Sequence, residues 1–119
     1  MLRTLFTALI FLSTTIFREK RMLLIFADRP GNQLVKKQKD ILDANVAGIN
    51  ERDIEVLTYY EGKDRVQFQK RSVKDAFTVI LIGKDGGEKY RATQPITLSK
   101  LFGIIDAMPM RVQEMKSRP

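Results

Sequence analysis

The chain has 119 residues, of which 44% are hydrophobic, so it has enough apolar material for one core and one domain. It contains no cysteine and no histidine, which excludes disulfides, thiol nucleophiles, Ser-His-Asp triads and the usual zinc sites. The net charge of +7 favours anionic partners, although acidic and basic residues are interspersed along the chain and solubility alone would explain the charge equally well.

The first seventeen residues carry one charged side chain, Arg3, before an almost wholly apolar stretch at residues 5–12. This order is typical of a secretory signal, and the stretch is shorter than the roughly 20 apolar residues that span a bilayer. No small-residue cleavage motif follows. We expect residues 1–17 to be a signal peptide or N-terminal anchor, residues 18–116 to form the domain, and residues 117–119 to be a tail. A helix or strand packed on the domain is the alternative for the first segment.

The first half of the domain has a strand-helix-strand pattern. Residues 22–27 are a continuous apolar run, which predicts a buried central strand. Asn32 is placed to cap a helix over residues 33–47, with Gly48 as its stop. Residues 53–60 are rich in β-formers and predict a second strand.

The second half begins with a polar connector at residues 61–74, a loop or short helix with Val66 and Phe68 as its apolar anchors. Residues 77–82 predict another central strand. Asp85-Gly86 is a hairpin signal, so a fourth strand at residues 88–93 should be antiparallel and lie at the edge.

The last predicted element is a helix capped by Thr97 or Ser99. Met108-Pro109 should end this helix, and a basic tail should follow from Arg111. The predicted order β-α-β-(connector)-β-β-α indicates an α/β fold of the thioredoxin-like type, with a four-stranded mixed sheet and flanking helices. Another split-βαβ arrangement is the competing interpretation.

Several short strings, taken together, resemble one family, the domain-of-unknown-function family 4174. They are residues 22–27, 51–53, 81–87 with Lys89 and Arg91, and 105–111 with Glu114 and Met115. The resemblance extends over residues 18–116, and Ile-Asp-x-Met-Pro-Met-Arg is its most specific part. It implies a thioredoxin-like fold and frequent export, with related domains in secreted sushi-repeat-containing animal proteins, and it implies no established activity.

Thioredoxins carry Cys-x-x-Cys after the first strand, where the next helix lowers the thiol pKa. The corresponding residues 27–33 contain no sulfur here. The helix N-terminus with Arg29 offers an anion site, although a capped turn explains the same residues. Residues 83–87 lack phosphate-loop spacing and predict a hairpin turn. Glu51 and Asp53 flank Arg52 in what we expect to be a solvated turn.

The candidate contacts with a ligand or partner centre on Met108 and Met110. These two side chains offer an adaptable apolar surface beside a cation, although packing at the base of the core is the alternative. The full candidate set is Arg29, Lys84, Asp85, Arg91, Met108, Met110 and Arg111.

These features favour a non-enzymatic, exported binding or structural domain without thiol redox activity. We expect no catalytic residue, cofactor or metal, and an anionic polymer or another protein as partner. One alternative is a thiol-independent enzyme that uses carboxylates or Lys84. The other is a cytoplasmic nucleic-acid-binding protein, which the sequence does not favour.

Overall fold

The structure is a computed structural model that describes residues 18–117, so the expectations for residues 1–17 lie outside it. Four strands and five helices form within this range. In chain order they are β1 (Arg21–Ala27), α1 (Gln33–Asp43), α2 (Val46–Glu51), β2 (Ile54–Tyr60), α3 (Arg65–Lys70), β3 (Phe77–Ile82), β4 (Glu88–Ala92), α4 (Leu98–Asp106) and α5 (Pro109–Lys116).

The strands form one mixed sheet in the order β2-β1-β3-β4. β1 and β2 are parallel, whereas β3 is antiparallel to both of its neighbours. The predicted four-stranded mixed sheet, the hairpin and the edge position of β4 are therefore confirmed. β1 and β3 are central and buried on both faces, which is why their sequences are continuous apolar runs rather than alternating ones.

Each face of the sheet carries its own core. On the first face, Leu23 and Ile25 of β1 belong to the same buried cluster as Leu42 of α1 and Leu101 and Ile105 of α4. The second face has a smaller cluster, to which the connector and α3 contribute two residues; its buried members are Leu24, Phe26, Phe68, Val73, Ile80 and Ile82. Val66, which we expected to anchor the connector, is 72% exposed. None of the helices within residues 18–117 has the length and apolar content needed to cross a membrane.

The predicted helix over residues 33–47 is two helices. α1 ends at Asp43, and Asn45 caps α2 by accepting a hydrogen bond from the Gly48 amide at 2.9 Å. Gly48 is therefore inside α2 rather than a stop. A Cβ atom there would lie 2.9 Å from the Phe102 ring, so the close approach of α4 explains the glycine.

The predicted basic tail from Arg111 is also wrong, because residues 109–116 form α5. Pro109 occupies the start of this helix, where its missing N–H costs no hydrogen bond. Arg111 is 1% exposed and lies inside the fold. The same proline that ends α4 in the sequence pattern thus also begins α5.

Candidate functional site

Arg21, the first residue of β1, is fully buried and is hydrogen-bonded to the far end of the chain. Its Nη1 donates to Glu114 Oε1 at 3.2 Å and to the carbonyl of Arg52 at 2.9 Å, and its Nη2 donates to Glu114 Oε2 at 3.0 Å. This bidentate pair ties α5 to the start of the central strand.

Glu114 also accepts from Lys84 at 2.9 Å, and Lys84 donates to Asp53 at 2.9 Å. Burial opposes ionisation of Glu114, but the hydrogen bonds and positive charges of Arg21 and Lys84 outweigh burial and lower its pKa to about 2. The ammonium of Lys84 therefore contacts two carboxylates, which links the hairpin after β3 to α5 and to the entrance of β2.

A second set of ion pairs adjoins the first. Arg52 makes two hydrogen bonds of 3.0 Å to Asp106 and lies 3.9 Å from the centroid of the Phe102 ring. Arg111 donates to Asp106 at 3.3 Å and to the Glu51 carbonyl at 3.2 Å. The hydrogen bond from Arg52 lowers the pKa of Asp106. The expected solvated turn at residues 51–53 is therefore a network of ion pairs that holds α4, α5 and β2 together.

We name these residues the charge cluster: Arg21, Arg52, Lys84, Arg111, Glu51, Asp53, Asp106 and Glu114. Its four cations balance its four carboxylates. The net charge of +7 therefore comes from the rest of the chain.

A cavity of about 280 Å³ lies beside the charge cluster, between the β3–β4 hairpin and the α4–α5 junction. We call it the hairpin cavity. Four members of the predicted contact set line it: Lys84, Asp85, Met108 and Met110. Its other lining residues are Arg21, Gly83, Lys89, Ile104, Ala107 and Pro109.

The hairpin turn that borders the cavity is held by Asp85. Its carboxylate accepts from Lys89 Nζ at 2.7 Å and from the Gly87 amide at 2.9 Å, and the hydrogen bond from Lys89 lowers its pKa. Gly86 has a φ of +83°, a conformation that glycine adopts readily. The turn is thus the predicted hairpin, and it presents Lys84 and Lys89 on the same side as the two methionines.

The remaining members of the predicted set lie elsewhere. Arg29 follows the opposite end of β1, is 72% exposed and pairs with Asp28 at 3.3 Å. Arg91 on β4 pairs with Glu88 at 2.9 Å and donates to the Arg71 carbonyl at 2.7 Å. Arg111 belongs to the charge cluster. The predicted set therefore does not form one site.

The side chain of Asn32 makes the hydrogen bonds that hold the turn after β1. Asn32 Oδ1 accepts from the Leu34 amide at 2.8 Å, and its Nδ2 donates to Asp28 at 2.9 Å and to the Ala76 carbonyl at 3.1 Å. The hydrogen bond from Asn32 lowers the pKa of Asp28. The side chain of Asn32 thus joins the start of α1 to the segment before β3.

A family model described as a domain of unknown function, DUF4174, matches residues 14–114. The chain belongs to the DUF4174 family. Human sushi repeat-containing protein SRPX2 is 26% identical over 120 residues, which cover 86% of this chain and 26% of that protein. The rat protein of the same name is 25% identical with the same coverage. The DUF4174 chain thus spans about a quarter of the length of these curated relatives.

Solved structures resemble the DUF4174 domain in fold. Thioredoxin-2 of the malaria parasite has a TM-score of 0.62 at 21% identity, with 75% of this chain and 84% of that chain covered. A thioredoxin-fold protein from Helicobacter pylori has a TM-score of 0.57 at 15% identity, with 90% and 80% covered. These matches establish the thioredoxin-like fold.

The charged groups at the charge cluster and the hairpin cavity are paired with one another, which is typical of structural or binding groups. Within residues 18–117, no group of three or more acidic side chains is arranged to hold a metal ion.

Sequence reasoning missed Arg21 and Lys89 as cavity residues. Arg21 directly precedes the apolar run of β1, a position that resembles an ordinary solvated strand end. Its burial is evident only from its ion pair with Glu114, which lies 93 positions away in the sequence.

Proposed function

We propose that this DUF4174 domain is an exported, non-catalytic binding domain that contacts its partner through the hairpin cavity. The observation that carries the proposal is the convergence of Lys84 and Asp85 with Met108 and Met110 around one cavity. Lys84 and Lys89 lie beside the adaptable surface of the two methionines, and this combination suits recognition of a partner with both apolar and anionic groups.

The place of the thioredoxin motif supports a role other than thiol exchange. The chain has no cysteine, and at the turn of residues 28–32 the side chain of Asn32 is occupied by internal hydrogen bonds. The hairpin cavity lies at the other end of β1, which has seven residues. A strand of that length separates the two regions by roughly 20 Å, so binding at the cavity would leave the turn at residues 28–32 untouched.

Export is supported by the sequence of residues 1–17, with Arg3 before an apolar stretch. Intact mass and cell fractionation of the natively expressed protein test this part. A chain shortened by roughly 17–21 residues and found outside the cytoplasm, or a full-length chain held in the membrane, agrees with the proposal. A full-length protein in the soluble cytoplasm would contradict export and favour an intracellular partner.

The binding role is tested by a matched pair of variants on α5. Met110 is 36% exposed and lines the cavity, whereas Met115 is 41% exposed and does not line it. Proteins that co-purify with the tagged chain from its own cells are quantified by mass spectrometry for Met110→Asp and Met115→Asp. The proposal expects a partner that is retained by Met115→Asp and lost with Met110→Asp. Equal retention by both variants would rule out the cavity as the contact site.

A further inference from the structure

We propose that α5 is a detachable helix, held to the domain by charge, which opens and closes as one unit while the sheet and the other helices stay folded. The inference concerns the helix that forms one wall of the hairpin cavity. It does not depend on the proposed function, because it makes no claim about what the cavity binds.

Within residues 18–117, α5 differs from the other four helices in having no side chain in either buried cluster. Its two methionines, Met110 and Met115, are 36% and 41% exposed. Buried apolar area is the main force that holds a helix on a domain, and α5 lacks it. The other helices are anchored by Val35 and Leu42 of α1, Ile49 of α2, Phe68 of α3, and Leu101 and Ile105 of α4.

Charged side chains attach α5 instead. Arg111, the buried residue of this helix, donates to Asp106 at 3.3 Å, while Glu114 accepts from Arg21 at 3.0 Å and from Lys84 at 2.9 Å. Asp106 and Glu114 keep 37% and 20% of their side-chain surface exposed, so water competes for both carboxylates. Because the desolvation of such ion pairs offsets much of their attraction, they hold α5 less firmly than apolar burial holds the other helices.

The backbone between α4 and α5 allows them to separate. Met108 is extended, with φ −72° and ψ 137°, and Pro109 has no N–H to continue the hydrogen bonds of α4. The Val112 amide donates to the Met108 carbonyl at 2.9 Å, so α5 closes its own first turn. Since Pro109 and Met110 line the hairpin cavity, each opening removes that wall of the cavity.

The open form keeps partners for the cations that Glu114 leaves. Lys84 retains its hydrogen bond of 2.9 Å to Asp53, and Arg21 retains its hydrogen bond of 2.9 Å to the Arg52 carbonyl. Opening of α5 therefore avoids the large cost of a buried charge without any partner. A segment with few buried apolar contacts and a low cost of opening is expected to open independently of the core.

The test is native-state hydrogen exchange, followed by NMR on ¹⁵N-labelled protein in the form that its own cells produce, at increasing urea concentrations. We expect the amides of residues 112–117 to share one opening equilibrium. This equilibrium should lie at least about tenfold further towards the open form than that of the β1 and β3 amides. It should also depend less on urea, because undocking of one helix exposes less surface than global unfolding.

Two variants separate the opening of α5 from global unfolding. Glu114→Gln should increase the opening of α5 by about tenfold to hundredfold, because the charged hydrogen bonds to Arg21 and Lys84 are weakened. Gln38→Leu is the control, since its hydrogen bonds to Ile96 are made outside α5. It should speed exchange of the β1 and β3 amides and leave the opening equilibrium of α5 unchanged.

Each contrary result overturns a defined part of the proposal. The same opening equilibrium and urea dependence for α5 and β3 in the unmodified chain would show that α5 belongs to the cooperative core, and this comparison needs no variant to fold. Protection that declines gradually from residue 112 to residue 117 would mean fraying instead of opening as one unit. Unchanged α5 exchange in Glu114→Gln would overturn charge as the cause of attachment.

Discussion

Arg21 and Glu114 lie 93 positions apart in the sequence and form a bidentate ion pair with N–O distances of 3.2 and 3.0 Å. Through this pair the last helix is fixed to the first residue of the central strand. Lys84 joins the same carboxylate from the β3–β4 hairpin. The two segments that border the hairpin cavity are thus held by one glutamate, and the shape of the cavity depends on it.

Removal of the Glu114 charge should destabilise the fold in a pH-dependent way. The folded-state pKa of Glu114 is about 2 against an ordinary value of 4.5, so ionisation favours the folded protein. The stabilisation is complete above pH 4.5 and is lost as the pH falls towards 2. Glu114→Gln should lower the free energy of unfolding by about 3 kcal/mol at neutral pH, measured by urea denaturation.

The same measurement at pH 3 supplies the contrast, because the difference between Glu114→Gln and the unmodified chain should then be clearly smaller. Glu55→Gln, at an exposed position of β2, is the control and should have little effect at either pH. A loss of stability for Glu114→Gln that is the same at both pH values would show that the charge is not the cause.

Arg111 should be a structural residue. Its side chain is 1% exposed and contacts Asp106, Glu51 and Glu114, whose side chains are partly exposed, so Arg111→Met removes hydrogen bonds to carboxylates that water can still solvate in part. We expect a loss of about 1.5–3 kcal/mol in the free energy of unfolding. Lys116→Met on the exposed side of α5 should change it by less than about 0.5 kcal/mol. Similar small losses for both variants in thermal or urea denaturation would contradict the buried network.

The two helix glycines 48 and 103 should respond in opposite ways to alanine. A Cβ on Gly48 would lie 2.8 Å from Asn45 Nδ2 and 2.9 Å from the Phe102 ring, so Gly48→Ala should cost about 1–3 kcal/mol. A Cβ on Gly103 would meet no atom within 4 Å among the described residues beyond its chain neighbours and the nearby backbone of its own helix, so Gly103→Ala should stabilise α4 by roughly 0.5–1 kcal/mol. Melting temperatures of the two variants test this, and a shift in the same direction for both would refute it.

Gln38 should stabilise the fold by pairing the backbone of Ile96 in the segment before α4. Its fully buried amide donates to the Ile96 carbonyl at 3.0 Å and accepts from the Ile96 amide at 2.7 Å. Gln38→Leu leaves both backbone groups without a partner and should cost about 3 kcal/mol. The exposed Gln69→Leu on α3 is the matched control, and its urea midpoint should stay near that of the unmodified chain. An unchanged midpoint for Gln38→Leu would mean that the backbone of Ile96 is satisfied without Gln38.

The strands could be predicted because their signals are local. β1 and β3 are recognised from their continuous apolar runs, and the hairpin is recognised from the Asp85-Gly86 turn. The break at Asn45 was missed because an Asn is compatible with a helix interior as well as with a cap. Helix α5 was missed because Pro109 both ends one helix and begins the next.

The site was predicted only in part for a related reason. Met108, Met110, Lys84 and Asp85 stood out as unusual local strings, and the structure brings them to one cavity. The buried positions of Arg21 and Arg111 depend on partners such as Glu114 and Glu51, and an ion pair between distant segments leaves no periodic pattern in either one.

The location of the binding surface is tested most directly by site-specific photo-crosslinking in the protein's own cells. A benzophenone amino acid replaces either Met110 at the hairpin cavity or Arg29 in the turn after β1. The account predicts a discrete crosslinked adduct from position 110 in the exported fraction and none from position 29. An adduct from position 29 alone would place the partner at the opposite end of β1 from the hairpin cavity and contradict the account.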